Sequence, residues 1–391
     1  MDVDTVIMAG AGLATAVLAR ELVERTDLRC LVLESNDHIG GHCHSYRDDR
    51  TGIMVHAHGP HIFHTVHEDV WAYLNRFASF EPYQHRIKAV TARGIFGLPI
   101  NLHTINQFFG KTFDPDEARR FVASLGDASI EEPDNVEEQA LRFIGKDLYE
   151  AFFRDYTKKH WGRDPRELPA SILKRLPVRF TYDDNYYDSR YTAIPANGYS
   201  AMIEAMFDHP DIEVQLGTEA GAGMCGEFRH MFWSGTIDGF FGHRRGRLGY
   251  RTLEWDKQYA IGDLQGAAQI NYTSMDVPYT RICEHKFFTP WEHHAESVAF
   301  VETSRDAGED DIPYYPLRLE PDRALYAEYE TLARELENVS FIGRLGTYRY
   351  LDMDTVVKEM LDFAGPVCEA LLDDRGRVPH MPPPAITTVG G

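Results

Sequence analysis

The chain of 391 residues is poor in three features, and each scarcity excludes a class of protein. Its five cysteines, an odd number without a Cys-x-x-Cys pair, argue against a secreted disulfide framework and favour the reducing cytoplasm. Lysine and arginine (40) are outnumbered by aspartate and glutamate (61), so a net charge of −21 disfavours nucleic acid as a partner. No apolar run reaches the ~18 residues of a transmembrane helix, so no membrane span is expected.

The N-terminal residues have the pattern of a strand, a glycine turn, a helix and a second strand. The first strand ends before Gly10 and Gly12, an amphipathic helix follows over 13–24, and the second strand ends at Glu34. This order predicts a Rossmann-type site, where a helix N-terminus binds a pyrophosphate and the acid binds a ribose. Thr15 stands where close packing prefers a third small residue. Two interpretations remain: a repacked turn that still binds its dinucleotide, or a weakened or lost site.

The remainder of the chain divides into a helical and a strand-rich part. Residues 104–161 are predicted to be helical, with N-caps at Asp114 and Asn135. Residues 228–300 are rich in strand-forming aromatics and turn glycines. The chain after residue 338 is predicted to return to the nucleotide-binding domain.

Five segments combine arginine, tyrosine and acidic residues. Arginine forks match phosphate oxygens, tyrosine hydroxyls add neutral donors, and aromatic rings stack on a base. A single such residue is more often part of a surface ion pair or a buried core. Together, the segments predict a site for an anionic diphosphate that carries an aromatic base. They are 152–162, 174–187, 276–281, 312–316 and 344–354.

Longer motifs between residues 4 and 373 carry a family resemblance. They are 59–65, 98–107, 143–149, 173–179, 182–186, 276–281 and 344–354. These stretches are similar to those of the UDP-galactopyranose mutase family of the bacterial type.

The resemblance implies an α/β fold of three domains. These are a split Rossmann-like, FAD-type domain (1–80, 195–240 and 330–375), a helical domain (100–180, with a mobile loop near 165–180) and an antiparallel β-sheet domain (81–99, 181–194 and 241–329). Residues 376–391 are predicted to be a disordered tail, because they are rich in proline and glycine.

The resemblance also implies an isomerase that interconverts the pyranose and furanose forms of a nucleotide-activated hexose, by default UDP-galactose. In the family, reduced FAD attacks the anomeric carbon, the nucleoside diphosphate leaves, and the sugar ring opens and recloses without net redox change. A nucleotide sugar as substrate, FAD as cofactor and a homodimer are the corresponding expectations.

Site residues follow from the resemblance position by position. Arg175 from the mobile loop and Arg281 from a fixed position are expected to hold the diphosphate, and His64 is expected beside the flavin. The implied substrate-binding residues are Phe152, Tyr156, Trp161, Tyr186, Asn271, Tyr315 and Tyr350. The implied cofactor-binding residues are Gly10, Gly12, Glu34, Gly41, His42, Arg344, Asp352 and Met353.

Departures from the family pattern are concentrated on the expected flavin side. Nine of the 18 histidines lie between residues 38 and 85, and the histidines at positions 42, 58, 85 and 160 replace other residue types of the family. One interpretation is a working flavoenzyme in which these histidines form hydrogen bonds. The other is an enzyme without flavin, in which a divalent metal (Mg or Mn) bound by His42, His44 and His58 acts on the diphosphate.

Three further alternatives concern function. The metal-dependent enzyme could act on a GDP-hexose instead of a UDP-hexose. A flavin oxidoreductase of the amine oxidase type shares the early glycine and glutamate pattern, but it needs no arginine pair like Arg175 and Arg281. A non-catalytic protein that binds a nucleotide sugar would retain the binding residues and convert nothing.

The absorption spectrum of the purified protein distinguishes the cofactor hypotheses. With FAD bound, the protein is expected to be yellow, and its activity is expected to survive chelation with EDTA. A colourless protein that requires a divalent ion and loses activity in EDTA would instead support the metal hypothesis.

Overall fold

The computed structural model describes residues 2–173, 178–373 and 377–381. Its strands are β1 Asp2–Ala9, β2 Arg29–Leu33, β3 Ser45–Arg47, β4 Met54–His56, β5 Phe63–Thr65, β6 Phe80–Pro82, β7 Ile87–Thr91, β8 Gly94–Leu98, β9 Tyr191–Pro195, β10 Ile212–Gln215, β11 Phe228–Trp233, β12 Tyr250–Ile261, β13 Gln269–Tyr272, β14 Arg281–Glu284, β15 Glu296–Asp306, β16 Tyr315–Pro316 and β17 Val339–Phe341. Its helices are α1 Leu13–Arg25, α2 Glu68–Leu74, α3 Leu102–Phe109, α4 Pro115–Leu125, α5 Val136–Leu148, α6 Asp155–Trp161, α7 Gly198–Phe207, α8 Ile237–Phe240, α9 Glu320–Arg334, α10 Gly343–Gly346 and α11 Met353–Leu372.

A five-stranded parallel sheet in the order β10-β2-β1-β11-β17 forms the first unit. Its central strand is apolar on both faces: Val6 and Met8 pack with α1, α7 and α11, whereas Ile7 and Ala9 pack with α8 and α9. Parallel sheets covered on both faces require such continuous apolar strands. The predicted early strands and helix are confirmed, and distant segments of the chain supply the other three strands, β10, β11 and β17.

A seven-stranded sheet in the order β16-β12-β15-β14-β13-β7-β8 forms the second unit. Its pairs are antiparallel, except that β13 runs parallel to β7. The parallel pair arises because β7 comes from a distant, earlier segment of the chain and is not connected to β13 by a hairpin. The sheet is therefore mixed, where the family resemblance implied an antiparallel one.

The helical unit packs α3 to α6 around phenylalanine and aliphatic side chains. Both predicted caps are confirmed: Asp114 and Glu117 form a capping box at α4, and Asn135 accepts the backbone N–H of Glu138 at α5. A kink at Gly145 interrupts α5, with a φ of 74° and a backbone so close to Leu125 that a Cβ would lie 2.4 Å from its carbonyl oxygen.

The end of the chain is partly packed. Val378 is buried, and the Arg377 guanidinium donates to the backbone oxygens of Arg334 and Leu336. The predicted tail thus begins with contacts in residues 377–381, and its remainder lies outside the described residues. In the part of the chain that the structure describes, no helix has the length and apolarity needed to cross a membrane.

Several histidines are buried as neutral side chains. Burial lowers the pKa of His230 and of His285 to about 3 and places that of His56 well below its usual range. As the pH falls, these histidines therefore take up protons in the unfolded chain near pH 6.5, before they do so in the folded protein. Their contribution to the unfolding free energy is fully present above that pH and is lost as the pH falls toward the folded-state pKa values.

The contribution of one buried histidine can be isolated at His230, whose Nε2 lies 3.0 Å from the Ser340 hydroxyl on the neighbouring strand. In His230→Asn, the unfolding free energy is expected to fall less steeply with decreasing pH, by up to about 1.4 kcal/mol per pH unit between about pH 6 and pH 4. Urea unfolding at several pH values measures this slope. His209→Asn, on a surface turn, is the control, and an unchanged slope in His230→Asn would contradict the prediction.

Candidate active site

The loop after β1 presents an open helix N-terminus. Gly12 is the N-cap of α1, no side chain caps the first turn, and a Cβ added to Gly12 would meet no atom within 4 Å. The first N–H groups of the helix therefore face open space, as binding of a pyrophosphate requires. Glu34 follows β2 at the same sheet edge, where its carboxylate accepts the backbone N–H of Ala11 at 2.8 Å. These residues fit a dinucleotide.

A second glycine pair, Gly40 and Gly41, lies beside the glycine turn that precedes α1. Gly40 is bridged to Gly12, and a Cβ on Gly41 would lie 3.3 Å from the Cα of Gly12, so both glycine turns line one groove. The next residue is His42, whose Nδ1 accepts a hydrogen bond from the Arg344 guanidinium at 2.7 Å. Because Nδ1 is an acceptor, the neutral ring carries its proton on Nε2. Burial, with Arg344 nearby, holds the pKa of His42 well below its usual range.

Thr15 lies in the first turn of α1, directly after the glycine loop. It is fully buried, and its hydroxyl has no hydrogen-bond partner. The departure from a small residue thus adds an unsatisfied hydroxyl, but it leaves the groove open. The structure favours the repacked turn over a lost site.

A buried ion pair lies at the centre of the second sheet. Arg281 on β14 contacts Glu302 on β15 through Nε at 2.7 Å and Nη2 at 2.6 Å, and Glu302 is fully buried. The Thr280 hydroxyl donates to the other carboxylate oxygen at 2.7 Å. A guanidinium has five N–H donors, so the pair fixes Arg281 and leaves donors for a ligand.

Aromatic residues on α6 and β16 form one wall beside Arg281. The His160 ring lies parallel to Tyr156, at 6.1 Å, and contacts Trp161 and Tyr315 at 5.4 and 5.0 Å between ring centres. Burial raises the pKa of the Tyr156 and Tyr315 hydroxyls, and the Arg281 charge opposes that rise. These hydroxyls therefore stay protonated and can donate to an anion.

A second wall, adjoining the first, contains Tyr186 and Tyr350, which remain 39% and 56% exposed. Tyr350 lies 5.8 Å from Tyr315, and Asp352, just before Met353 at the start of α11, is close enough to raise the pKa of both tyrosines. The two walls and Arg281 thus lie around one region, the cleft, which solvent reaches at Tyr186 and Tyr350. Arg344 lies 5.9 Å from the Tyr315 ring, so the cleft adjoins the groove that contains His42.

A chain of polar side chains leads to Asn271, which pairs with Arg281 across β13 and β14. His85 Nε2 lies 3.3 Å from the Gln269 side-chain oxygen, and the Gln269 amide donates to the Asn271 oxygen at 2.8 Å. This direction leaves the Asn271 NH2 group available to a ligand. His64 stacks at 3.9 Å on Tyr187, which also lies 6.1 Å from His85.

One expected site residue among those described, Phe152, is not brought to the cleft. Phe152 is 2% exposed and packs at 5.5–5.6 Å against Phe96 and Phe108 in the helical core, so its contact with a base stays a prediction. Arg175 lies outside the described residues.

The histidines proposed as metal ligands have other partners. The Nδ1 atom of His42 is occupied by Arg344, that of His58 lies 2.6 Å from the Tyr314 hydroxyl, and that of His44 lies 3.1 Å from the Ser200 hydroxyl. Among the described residues, no group of three or more histidine, cysteine or acidic side chains has the arrangement to hold a metal ion. The structure therefore gives the metal hypothesis no support.

Glu302 and His160 are prominent in the cleft but were not among the predicted site residues. Glu302 is one acid within an eleven-residue strand, and no local motif distinguishes it. His160 had a signal, since it lies between Tyr156 and Trp161 and departs from the family pattern.

The parallel sheet with its glycine loop places the chain among the Rossmann-type nucleotide-binding proteins, and residues 9–77 match the family described as an NAD(P)-binding Rossmann-like domain. Residues 151–350 match the family described as UDP-galactopyranose mutase. A "Probable UDP-galactopyranose mutase" of Klebsiella pneumoniae is 52% identical over 93% of this chain and 94% of that protein.

A dTDP-fucopyranose mutase of Escherichia coli is 47% identical over 92% of this chain and 97% of that protein. The crystal structure of a reduced UDP-galactopyranose mutase superposes with a TM-score of 0.72 at 16% identity, covering 96% of this chain and 97% of the other. The chain belongs to the UDP-galactopyranose mutase family. Membership confirms the isomerase class and the FAD cofactor that the resemblance implied.

The roles of Arg281 in stability and in activity can be separated with a double variant. Arg281→Gln leaves the Glu302 carboxylate buried without its partner, which is expected to cost about 3–5 kcal/mol of unfolding free energy. Arg281→Gln combined with Glu302→Gln removes both charges and is expected to recover most of this loss. Both proteins are expected to lose at least about a hundredfold in turnover.

Urea unfolding and a turnover assay on the same preparations measure the two effects. Glu302→Gln alone is the matched control for the loss of the acid. Wild-type turnover in the double variant would show that the Arg281 charge has no part in the reaction.

Proposed function

We propose that this protein interconverts the pyranose and furanose forms of UDP-galactose. The observation that carries the proposal is the fixed guanidinium of Arg281, which has unused donors and lies in a cleft walled by tyrosines. An arginine in such a place suits a leaving diphosphate, because a charge-assisted hydrogen bond stabilises the negative charge that develops there.

The groove lined by the two glycine turns would bind the cofactor, and the cleft beside it would bind the substrate. Gly10, Gly12, Gly41 and Glu34 would hold FAD, which supplies the nucleophile for the anomeric carbon when it is bound and reduced. The N-terminus of α11, at Asp352 and Met353, lies near Tyr186 and Tyr350, and a helix N-terminus favours negative charge near it.

The substrate would lie along the β13–β14 face. Arg281 and the hydroxyls of Tyr156, Tyr315 and Tyr350 would bind the diphosphate. The Asn271 NH2 group would orient the hexose by donating to a hydroxyl oxygen. Holding the hexose and the leaving group in fixed positions favours displacement at the anomeric carbon and reclosure of the ring.

A second substrate, dTDP-fucopyranose, has specific support, since the chain is 47% identical to a mutase of that name. Both candidates share the diphosphate and the pyranose ring, so the cleft described above serves either. An amine oxidase-type reaction has less support, because the paired charges of Arg281 and Glu302 have no use in it.

A homodimer and a cytoplasmic location complete the proposal, and light scattering of the purified protein tests the dimer.

A substrate panel tests the proposal directly. Reduced holoenzyme is incubated separately with UDP-galactopyranose, dTDP-fucopyranose and a GDP-hexose, and the products are separated by chromatography. Conversion of the UDP sugar at the highest kcat/KM is expected. Preference for the dTDP sugar would overturn the proposed substrate but not the reaction. Conversion of none, with FAD bound and reduced, would contradict the proposed function.

A further inference from the structure

Lys159 is a buried cation that is hydrogen-bonded to the end of β13 and to the loop that follows it. Only 8% of it is exposed, and its Nζ donates to four backbone oxygens: those of Tyr272 at 2.6 Å, Ser274 at 2.8 Å, Tyr279 at 2.8 Å and Val277 at 3.3 Å. An ammonium has three protons, so four acceptors at these distances surround it fully. Three of them belong to the turn from β13 to β14, and the fourth, Tyr272, is the last residue of β13.

This contact joins two parts of the cleft that come from distant segments of the chain. Lys159 lies on α6, between Tyr156 and Trp161. The loop that it holds, residues 273–280, begins two residues after Asn271 and ends one residue before Arg281. The ammonium therefore ties the aromatic wall to the strands that present the diphosphate and sugar ligands.

The strength of this tie depends on the proton of Lys159. Burial lowers the pKa of Lys159 to about 8, while Asp155 on α6 and Asp276 on the loop oppose the decrease. Arg251 on β12 also packs against this point and donates to the backbone oxygen of Lys159. A neutral amine has one proton fewer and no charge, so it holds four carbonyl oxygens less well.

We propose that Lys159 is a positioning residue whose ammonium fixes the 273–280 loop against α6 and thereby sets the affinity of the cleft for a nucleoside diphosphate. The proposal rests on the proposed function for the identity of the ligand. It assigns Lys159 no contact with the substrate. Its consequence is an alkaline limit on binding, because deprotonation of this one group releases the loop from the aromatic wall.

The experiment measures binding of UDP to the FAD-loaded protein by titration calorimetry, from about pH 7 to about pH 10. Wild-type affinity is expected to fall by about tenfold or more above the pKa of Lys159. Lys159→Met is expected to bind UDP at least about tenfold more weakly than the wild type at pH 7. Its affinity is not expected to fall further between about pH 7 and about pH 10, because the titrating amine is absent. Lys158→Met, at the neighbouring position of the same helix, is the matched control and is expected to behave as the wild type.

Lys159→Arg keeps the experiment decisive if Lys159→Met does not fold. Arginine stays charged throughout this pH range, so the alkaline fall in affinity is expected to disappear. Methionine and arginine variants with the affinity and alkaline fall of the wild type would overturn the proposal. Failure of the wild type to bind UDP at any pH would instead contradict the proposed function, so the two failures are distinguishable.

Discussion

The ion pair of Arg281 and Glu302 is the constraint around which the cleft is arranged. The two residues face each other on adjacent antiparallel strands, so the sheet register itself brings the charges together. Neither charge is stable in this interior alone, since an unpaired buried charge is strongly destabilising. The pair therefore holds the Arg281 guanidinium in one position on the sheet. Around it lie Asn271 on the next strand and the tyrosines of both walls.

The histidines gain a physical role from this arrangement. Burial lowers the pKa of His58, His61 and His160 to about 4 and that of His85 to about 3, so these rings are neutral at neutral pH. Neutral rings add polar atoms and stacking surface without further positive charge. The positive charge offered to an anionic ligand at this cleft then comes from the guanidinium of Arg281, whose planar fork matches phosphate oxygens.

Sequence reasoning succeeded where the signal is local. The glycine turn before α1 and the caps at Asp114 and Asn135 follow from residue type and spacing over a few positions. The parallel pairing of β7 with β13 and the partnership of Arg281 with Glu302 depend on contacts between distant segments, for which neither strand carries a marker. Phe152 shows a further limit, because an aromatic residue in a binding motif has the same pattern as one in a core.

The split parallel sheet has a consequence for synthesis of the chain. The N-terminal strand β1 lies between β2 and β11, and β11 is followed in the sheet by β17, at residues 339–341. During translation, one edge of β1 stays exposed until residues 228–233 have left the ribosome, and the sheet is completed only when residues 339–341 follow. Such distant pairing slows folding and leaves an apolar edge open to aggregation, so the nascent protein has reason to depend on chaperones.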